Sequence, residues 1–228
     1  MSTMSPQIIT IDGPAASGKS TVAHRVAQAL HSTFLDTGAM YRAVTLLAMN
    51  TQTDLSDEPA LIRLIEENQF SFTPAGQRFV VLINRQDVTE QLRNPEVTAN
   101  IRYVAEATGI RILMVRQQRA LALKYQRVVT EGRDQGTVAF PDAQVKIFLT
   151  ADPEERAKRR QIELKAAGIR QDLDTLLKAV EARDLSDHQR TVGPLRPADD
   201  AIHLDTTKLT LDEVVQAILA IVEDKVGG

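Results

Sequence analysis

Short apolar runs alternate with stretches of helical periodicity along most of the chain. The runs at residues 8–11, 33–36, 128–130, 145–149 and 201–204 are rich in β-branched residues, and each is followed by a turn or a helical pattern. Runs this short and apolar predict buried strands of a parallel sheet. Helical spacing fills residues 19–31, 39–50, 59–67, 110–125, 153–167 and 173–187. A last helix is the clearest, because Leu211, Val214, Val215, Ile218, Leu219 and Val222 fall on one face. The alternation predicts a doubly wound α/β fold: five parallel strands flanked by helices, with right-handed crossovers.

One region departs from the alternation. β-rich runs at residues 70–73 and 79–83 flank Pro74-Ala75-Gly76-Gln77, and residues 86–89 follow closely. Turn residues between such runs predict a small antiparallel sheet. It falls between the second and third core strands and is read as an insertion. No internal repeat and no low-complexity segment stands out.

Composition narrows the class. The 228 residues are 43% hydrophobic, and 27 Lys and Arg face 30 Asp and Glu for a formal charge of −3. That balance speaks against a nucleic-acid binder, whose affinity rests on many phosphate-neutralising cations. The absence of cysteine excludes disulfides, thiolate nucleophiles and thiolate zinc sites. His24, His31, His188 and His203 show no tight metal spacing and read as surface or satisfied residues. Residues 1–7 carry no signal-peptide pattern, and no run approaches the roughly 20 apolar residues of a membrane span. A soluble, cytoplasmic protein is the expectation.

The strongest chemical signal is Gly13-Pro14-Ala15-Ala16-Ser17-Gly18-Lys19-Ser20, placed between the first strand and a helix that opens Ser20-Thr21-Val22. This is the P-loop pattern in its proper context. Glycines at the loop ends permit tight turns that aim backbone N–H groups at phosphate oxygens, and the helix N-terminus adds its own donors. Gly13 through Thr21 are therefore expected to cradle ATP, with Lys19 on the β- and γ-phosphates and the Ser20 hydroxyl on Mg²⁺. A glycine-rich turn that merely caps a helix is the plainer alternative. No guanine-reading Asn-Lys-x-Asp and no apolar strand ending in Asp-Glu is present, which points away from GTP switches and ATPase motors toward a small kinase.

The acceptor is the discriminating question. An alcohol needs a general base to take its proton. A nucleoside monophosphate offers an oxygen that is already anionic, but two repelling phosphates must then meet. That demands cations, above all arginines with their planar fork. Asp36-Thr37-Gly38-Ala39-Met40-Tyr41-Arg42 sits where the second strand meets a helix that Thr37 can cap, with Tyr41 and Arg42 facing the cleft; an ordinary capped helix fits the spacing equally. Glu131-Gly132-Arg133-Asp134-Gln135-Gly136-Thr137 ends the third strand, where open α/β sheets bind ligands, although a polar turn is the alternative. Arg183 and Asp187 stand four apart, so an intrahelical ion pair of about 0.2–0.5 kcal/mol accounts for them as well. Glu155-Arg156-Ala157-Lys158-Arg159-Arg160 reads by itself as a solvated basic face. Asp36 is a weaker candidate for holding the metal through water.

Taken together, GPAASGKS, DTGAMYRA, EGRDQGTVAFPDA, ERAKRR, ARDLSDHQR and GPLRPADDAIHLDTT resemble the bacterial cytidylate kinases over nearly the whole chain. The resemblance implies a P-loop kinase that phosphorylates CMP and dCMP with ATP and Mg²⁺; a monomer is the expectation. It implies a core of residues 1–58, 127–152 and 188–228, an acceptor-binding insert at 59–126 and a helical lid at 153–187. Thr37, Tyr41 and Arg42 would line the acceptor pocket, and Arg111 would clamp the acceptor phosphate. Arg133 and Asp134 would approach the cytosine edge and phosphate, while Arg183, Asp187 and Arg190 would read the sugar and orient phosphates. Arg156 and Arg160 would close over ATP with the lid, so that Lys19, Arg133, Arg156, Arg160 and Arg190 form the catalytic set. Two positions depart from the family pattern: Arg102 where a Ser is usual, and Gly109 where a Pro is frequent. Two other readings fit parts of the pattern: a small-molecule hydroxyl kinase using Asp36 or Asp134 as base, and a nucleotide-binding regulatory module without turnover.

Overall fold

The computed structural model describes residues 5–75, 78–166 and 168–227. Its order is β1 (Gln7–Asp12), α1 (Lys19–Ala29), β2 (Thr33–Asp36), α2 (Thr37–Asn50), α3 (Glu58–Glu67), β3 (Phe70–Ala75), β4 (Arg78–Ile83), β5 (Gln86–Asp87), α4 (Pro95–Glu106), α5 (Thr108–Ala122), β6 (Arg127–Gly132), β7 (Val145–Thr150), α6 (Pro153–Ala166), α7 (Leu173–Gln189), β8 (Ile202–Asp205) and α8 (Leu211–Val226). A 3₁₀ turn lies at Gln91–Arg93 and a one-turn π-helix at Gln135–Ala139.

Five strands pair in parallel in the order β2-β6-β1-β7-β8. Because successive side chains alternate across a strand, neighbouring residues of β1 and β6 enter different cores. Ile8 and Val128 pack with α2, α3, α5 and the insertion. Ile9, Ile11 and Val129 pack with α1 and α8. The separate β3-β4-β5 sheet is antiparallel, as its sequence predicts. It buries Phe79, Val81 and Ile83 into the core shared with α2, so the insertion is fastened to the sheet rather than hung from a linker. Gly76 and Gln77 of the expected turn, and Ala167 at the expected end of the sixth helix, lie outside the described residues.

Two local differences have physical causes. Helix α4 has no counterpart among the expected elements, although Asn94 caps it by accepting from Glu96 N at 2.9 Å and Pro95 opens it. Asp36, not Thr37, caps α2: its carboxylate accepts the Ala39 N–H at 2.7 Å. Thr37 becomes the first helical residue, which frees its hydroxyl to donate to the Glu131 carbonyl at 2.7 Å. At the other end of the chain, Thr210 and Glu213 form a reciprocal capping box on α8.

Register brings the candidate residues together. Asp36 stands opposite Glu131 and Asp12 opposite Gly132, so the carboxyl ends of β2, β6 and β1 form one rim. The sheet order reverses at β1, which is where such sheets open a crevice. Among the described residues, no helix is long and apolar enough to cross a membrane.

Candidate active site

The loop from β1 to α1 is shaped by backbone conformations that few side chains tolerate. Gly13 has φ 153° and Gly18, the residue before α1, has φ 85°. A Cβ on Gly13 would lie 2.2 Å from the Leu149 carbonyl oxygen, an atom fixed in β7. Gly13→Ala is therefore expected to cost at least about 2 kcal/mol. That corresponds to a thermal unfolding midpoint lowered by roughly 4–8 °C, and an unchanged midpoint would contradict this loop geometry.

Lys19 is buried under the loop, where its ammonium donates to the Pro14 carbonyl and, at 3.1 Å, to Ser17 Oγ. Burial pushes its pKa down to about 7, and Arg133 adds to the depression, while Glu131, Asp187 and Asp12 oppose it. Pro14 and Ser17 thus hold the ammonium inside the loop, while Ala15 O accepts a 3.0 Å bond from Arg156 Nη1. Ser20 and Thr21 line an open cleft of about 360 Å³ together with Asp36, Ala39 and Arg42.

The oxygen atoms beside α1 suit a hard divalent cation. Ser20 Oγ donates to Glu131 Oε1 at 2.9 Å, and Asp36 lines the same cleft. Among the described residues no group of three or more His, Cys, Asp or Glu is arranged to hold a metal. Asp36 is already engaged, since Arg42 Nη2 pairs with it at 3.2 Å besides its capping bond. Glu131 was not among the expected site residues; an acidic residue ending an apolar strand beside the P-loop strand was the available signal.

Arginines converge across the crevice from the loop. Asp187 is fully buried and binds three of them: Arg133 Nε at 2.6 Å, Arg183 Nε at 3.2 Å, and Arg190. Burial raises its pKa, but the guanidiniums of Arg133, Arg183 and Arg190 outweigh that and hold the carboxyl below its ordinary value. Arg111, also buried, pairs with Asp134 and donates to the Ala105 carbonyl at 3.1 Å. Its guanidinium lies 5.9 Å from the Tyr41 ring centre. Burial pushes Tyr41 up to about 12, so the phenol stays neutral. Among the described residues, Arg111 Nε and Arg190 Nε are buried donors without a partner. Orphaned guanidinium N–H groups are costly unless a ligand or an ordered water meets them.

The remaining expected residues lie at the margins. Arg156 is buried at the root of α6, tying Ala151 O and Ala15 O to Asp184 of α7, the last at 2.6 Å. Arg160, one turn further, pairs with Glu163 of its own helix at 3.1 Å. Arg102 is exposed and lies 4.6 Å from the Tyr103 ring centre. Gly109 donates its N–H to Glu58 Oε1 at 2.5 Å, a bond that a proline there could not make.

A family model described as cytidylate kinase matches residues 9–224. The cytidylate kinase of Desulforamulus reducens is 48% identical over 215 residues, covering 94% of this chain and 96% of that one. That of a Geobacillus species is 48% identical over 219 residues, with 96% and 97% covered. The Lactobacillus johnsonii protein of the same name is 46% identical over 217 residues, with 95% and 94% covered. A phosphate loop facing a basket of arginines is thus joined to sequence similarity along almost the full length, and the chain belongs to the cytidylate kinase family.

Proposed function

We propose that this protein transfers the γ-phosphate of ATP to CMP and dCMP, giving ADP with CDP or dCDP. The observation that carries the reading is the arginine cluster across from the P-loop, with its buried N–H groups on Arg111 and Arg190 unpartnered among the described residues. The acceptor phosphate brings the anionic oxygens those donors lack. Arg111 clamps it, while Arg133, Arg183 and Arg190, gathered on Asp187, meet the sugar and the transferring group. Thr37, Tyr41 and Arg42 line the pocket, and Asp134 faces the base and phosphate.

Transfer is in line and needs no protein base, because the attacking oxygen is already ionised; positioning and charge stabilisation do the work. Lys19 leaves its loop partners for the β- and γ-phosphates. Mg²⁺ would be held by the Ser20 hydroxyl, with Asp36 and Glu131 reaching it through water, and would neutralise charge on the ATP phosphates. Residues 153–187 act as the lid and 59–126 as the acceptor-binding insert. Arg156, already on the P-loop, anchors the lid, and Arg160 swings in from its pair with Glu163. The working form is a cytoplasmic monomer.

A hydroxyl kinase would need Asp36 or Asp134 as base, yet Arg42 and Arg111 occupy those carboxylates. An ADP-release assay with CMP, dCMP, UMP, AMP and GMP tests the proposal. Fast release with the two cytidylates is expected. Indifference to CMP with turnover of an alcohol, or ATP binding without release for any acceptor, would overturn it.

A further inference from the structure

The π-helix at Gln135–Ala139 follows directly on Arg133 and Asp134, and it is gripped at both ends by residues outside the basket of arginines. At its start, the two oxygens of Asp12 accept the N–H groups of Gln135 at 2.8 Å and Gly136 at 2.7 Å. At its end, Arg119 donates from Nε to Ala139 O at 2.7 Å and from Nη2 to Val138 O at 2.8 Å. A carboxylate on free N–H groups and a guanidinium on free carbonyls is the arrangement that a helical dipole favours. Asp12 is the residue immediately before the P-loop and is buried. Arg119 lies on α5, the helix that also carries Arg111, and Arg111 pairs with Asp134 just ahead of the turn. Packing closes the joint further: a Cβ on Gly136 would lie 3.0 Å from Thr10 Oγ1 of β1.

We propose that Asp12 and Arg119 are positioning residues: by clamping the π-helix at opposite ends, they fix the acceptor-side groups Arg111, Arg133 and Asp134 at a set distance from the P-loop. This rests on the acceptor role proposed for those three residues. The turn is the mechanical joint between the donor and acceptor halves of the site. Loosening it misplaces the acceptor while leaving the ATP cradle, built from β1 and α1, in place.

Arg119→Gln removes the charged fork at the turn's end, and Asp12→Asn turns one acceptor into a donor that faces an N–H. Arg119→Gln is expected to raise KM for CMP about tenfold, with KM for ATP changed by less than about twofold; Asp12→Asn, which also withdraws a charge beside the Lys19 ammonium, is read by amide exchange alone. Arg119→Lys, which keeps one charged donor, falls between Arg119→Gln and the wild type. A merely structural role would instead lower the active fraction and the unfolding midpoint while leaving both KM values alone. Equal shifts in both KM values, or none in folded protein, overturn the proposal. Amide exchange supplies a readout independent of turnover. The Gln135 and Gly136 amides should exchange about tenfold faster in Arg119→Gln and in Asp12→Asn, with Ile9 and Ile11 unchanged. Unaltered exchange at the turn refutes the clamp even if the wild-type protein phosphorylates CMP. Absent CMP turnover by the wild type, with the turn behaving as described, refutes the acceptor reading instead.

Discussion

Lys19→Ala is expected to leave a folded protein whose turnover falls by about three orders of magnitude. The ammonium is buried at 5% exposure, and among the described residues its hydrogen-bond partners are the neutral Pro14 carbonyl and Ser17 hydroxyl. A charge so placed contributes little to folding, since its desolvation is poorly offset. Burial pushing its pKa down to about 7 expresses the same imbalance. Removing the side chain should therefore move the unfolding midpoint by no more than a few degrees. Catalysis is a different matter. The phosphates that pass from donor to acceptor need a cation inside the loop, whereas Arg133 is anchored on Asp187 and Arg156 on Asp184 and the Ala15 carbonyl at the loop's outside. ADP release under single-turnover conditions, set beside a thermal melt, separates the two effects. Turnover near the wild-type rate would remove Lys19 from the mechanism.

The parts of this site that were legible in the sequence are those encoded within a few residues. Strand, glycine loop, Lys19, Ser20 and helix follow one another, so local spacing sufficed for the cradle. The five strands were equally readable from their apolar runs. Their order was not, because it depends on which crossover passes over which face. Arg183 and Asp187 show the limit. Their spacing of four is indistinguishable from a surface ion pair, and what makes Asp187 special is Arg133, which arrives from the end of β6, 54 residues away. Asp12 and Glu131 were given no site role for a related reason. Each is an acid ending an apolar strand, and its partners lie on other strands and turns. The Thr37 cap was misassigned because Asp and Thr adjoin and both cap helices well; the Glu131 carbonyl decides between them. The family resemblance supplied roles for Arg111, Arg133 and Arg190 that spacing alone left open.

Asp187→Asn should produce the largest loss of stability of any substitution in the site. Asparagine keeps the shape of the side chain but removes the negative charge, leaving Arg133, Arg183 and Arg190 facing one another around a neutral amide. Removing one partner from a buried ionic cluster costs about 3 kcal/mol or more, and the low end is apt here. Arg133 and Arg183 keep 21% and 25% of their side chains exposed, whereas Arg190 keeps 4%. For a chain of this size the midpoint should fall by roughly 6–12 °C. The pH dependence has a definite sign. The guanidiniums hold the Asp187 pKa below its ordinary 3.8 despite burial, so the unfolded chain binds the proton first. The carboxylate's stabilising contribution is thus fully present above that value and disappears as pH falls through the lower, folded value. The gap between wild type and variant should accordingly hold steady from neutrality down to pH 4 or so and close below it. A gap that widened on acidification would mean that Asp187 is not the counter-charge of the cluster. Added CMP should narrow the gap at neutral pH, because its phosphate supplies the missing anion to the same arginines. A variant no more responsive to CMP than the wild type would place the acceptor phosphate elsewhere.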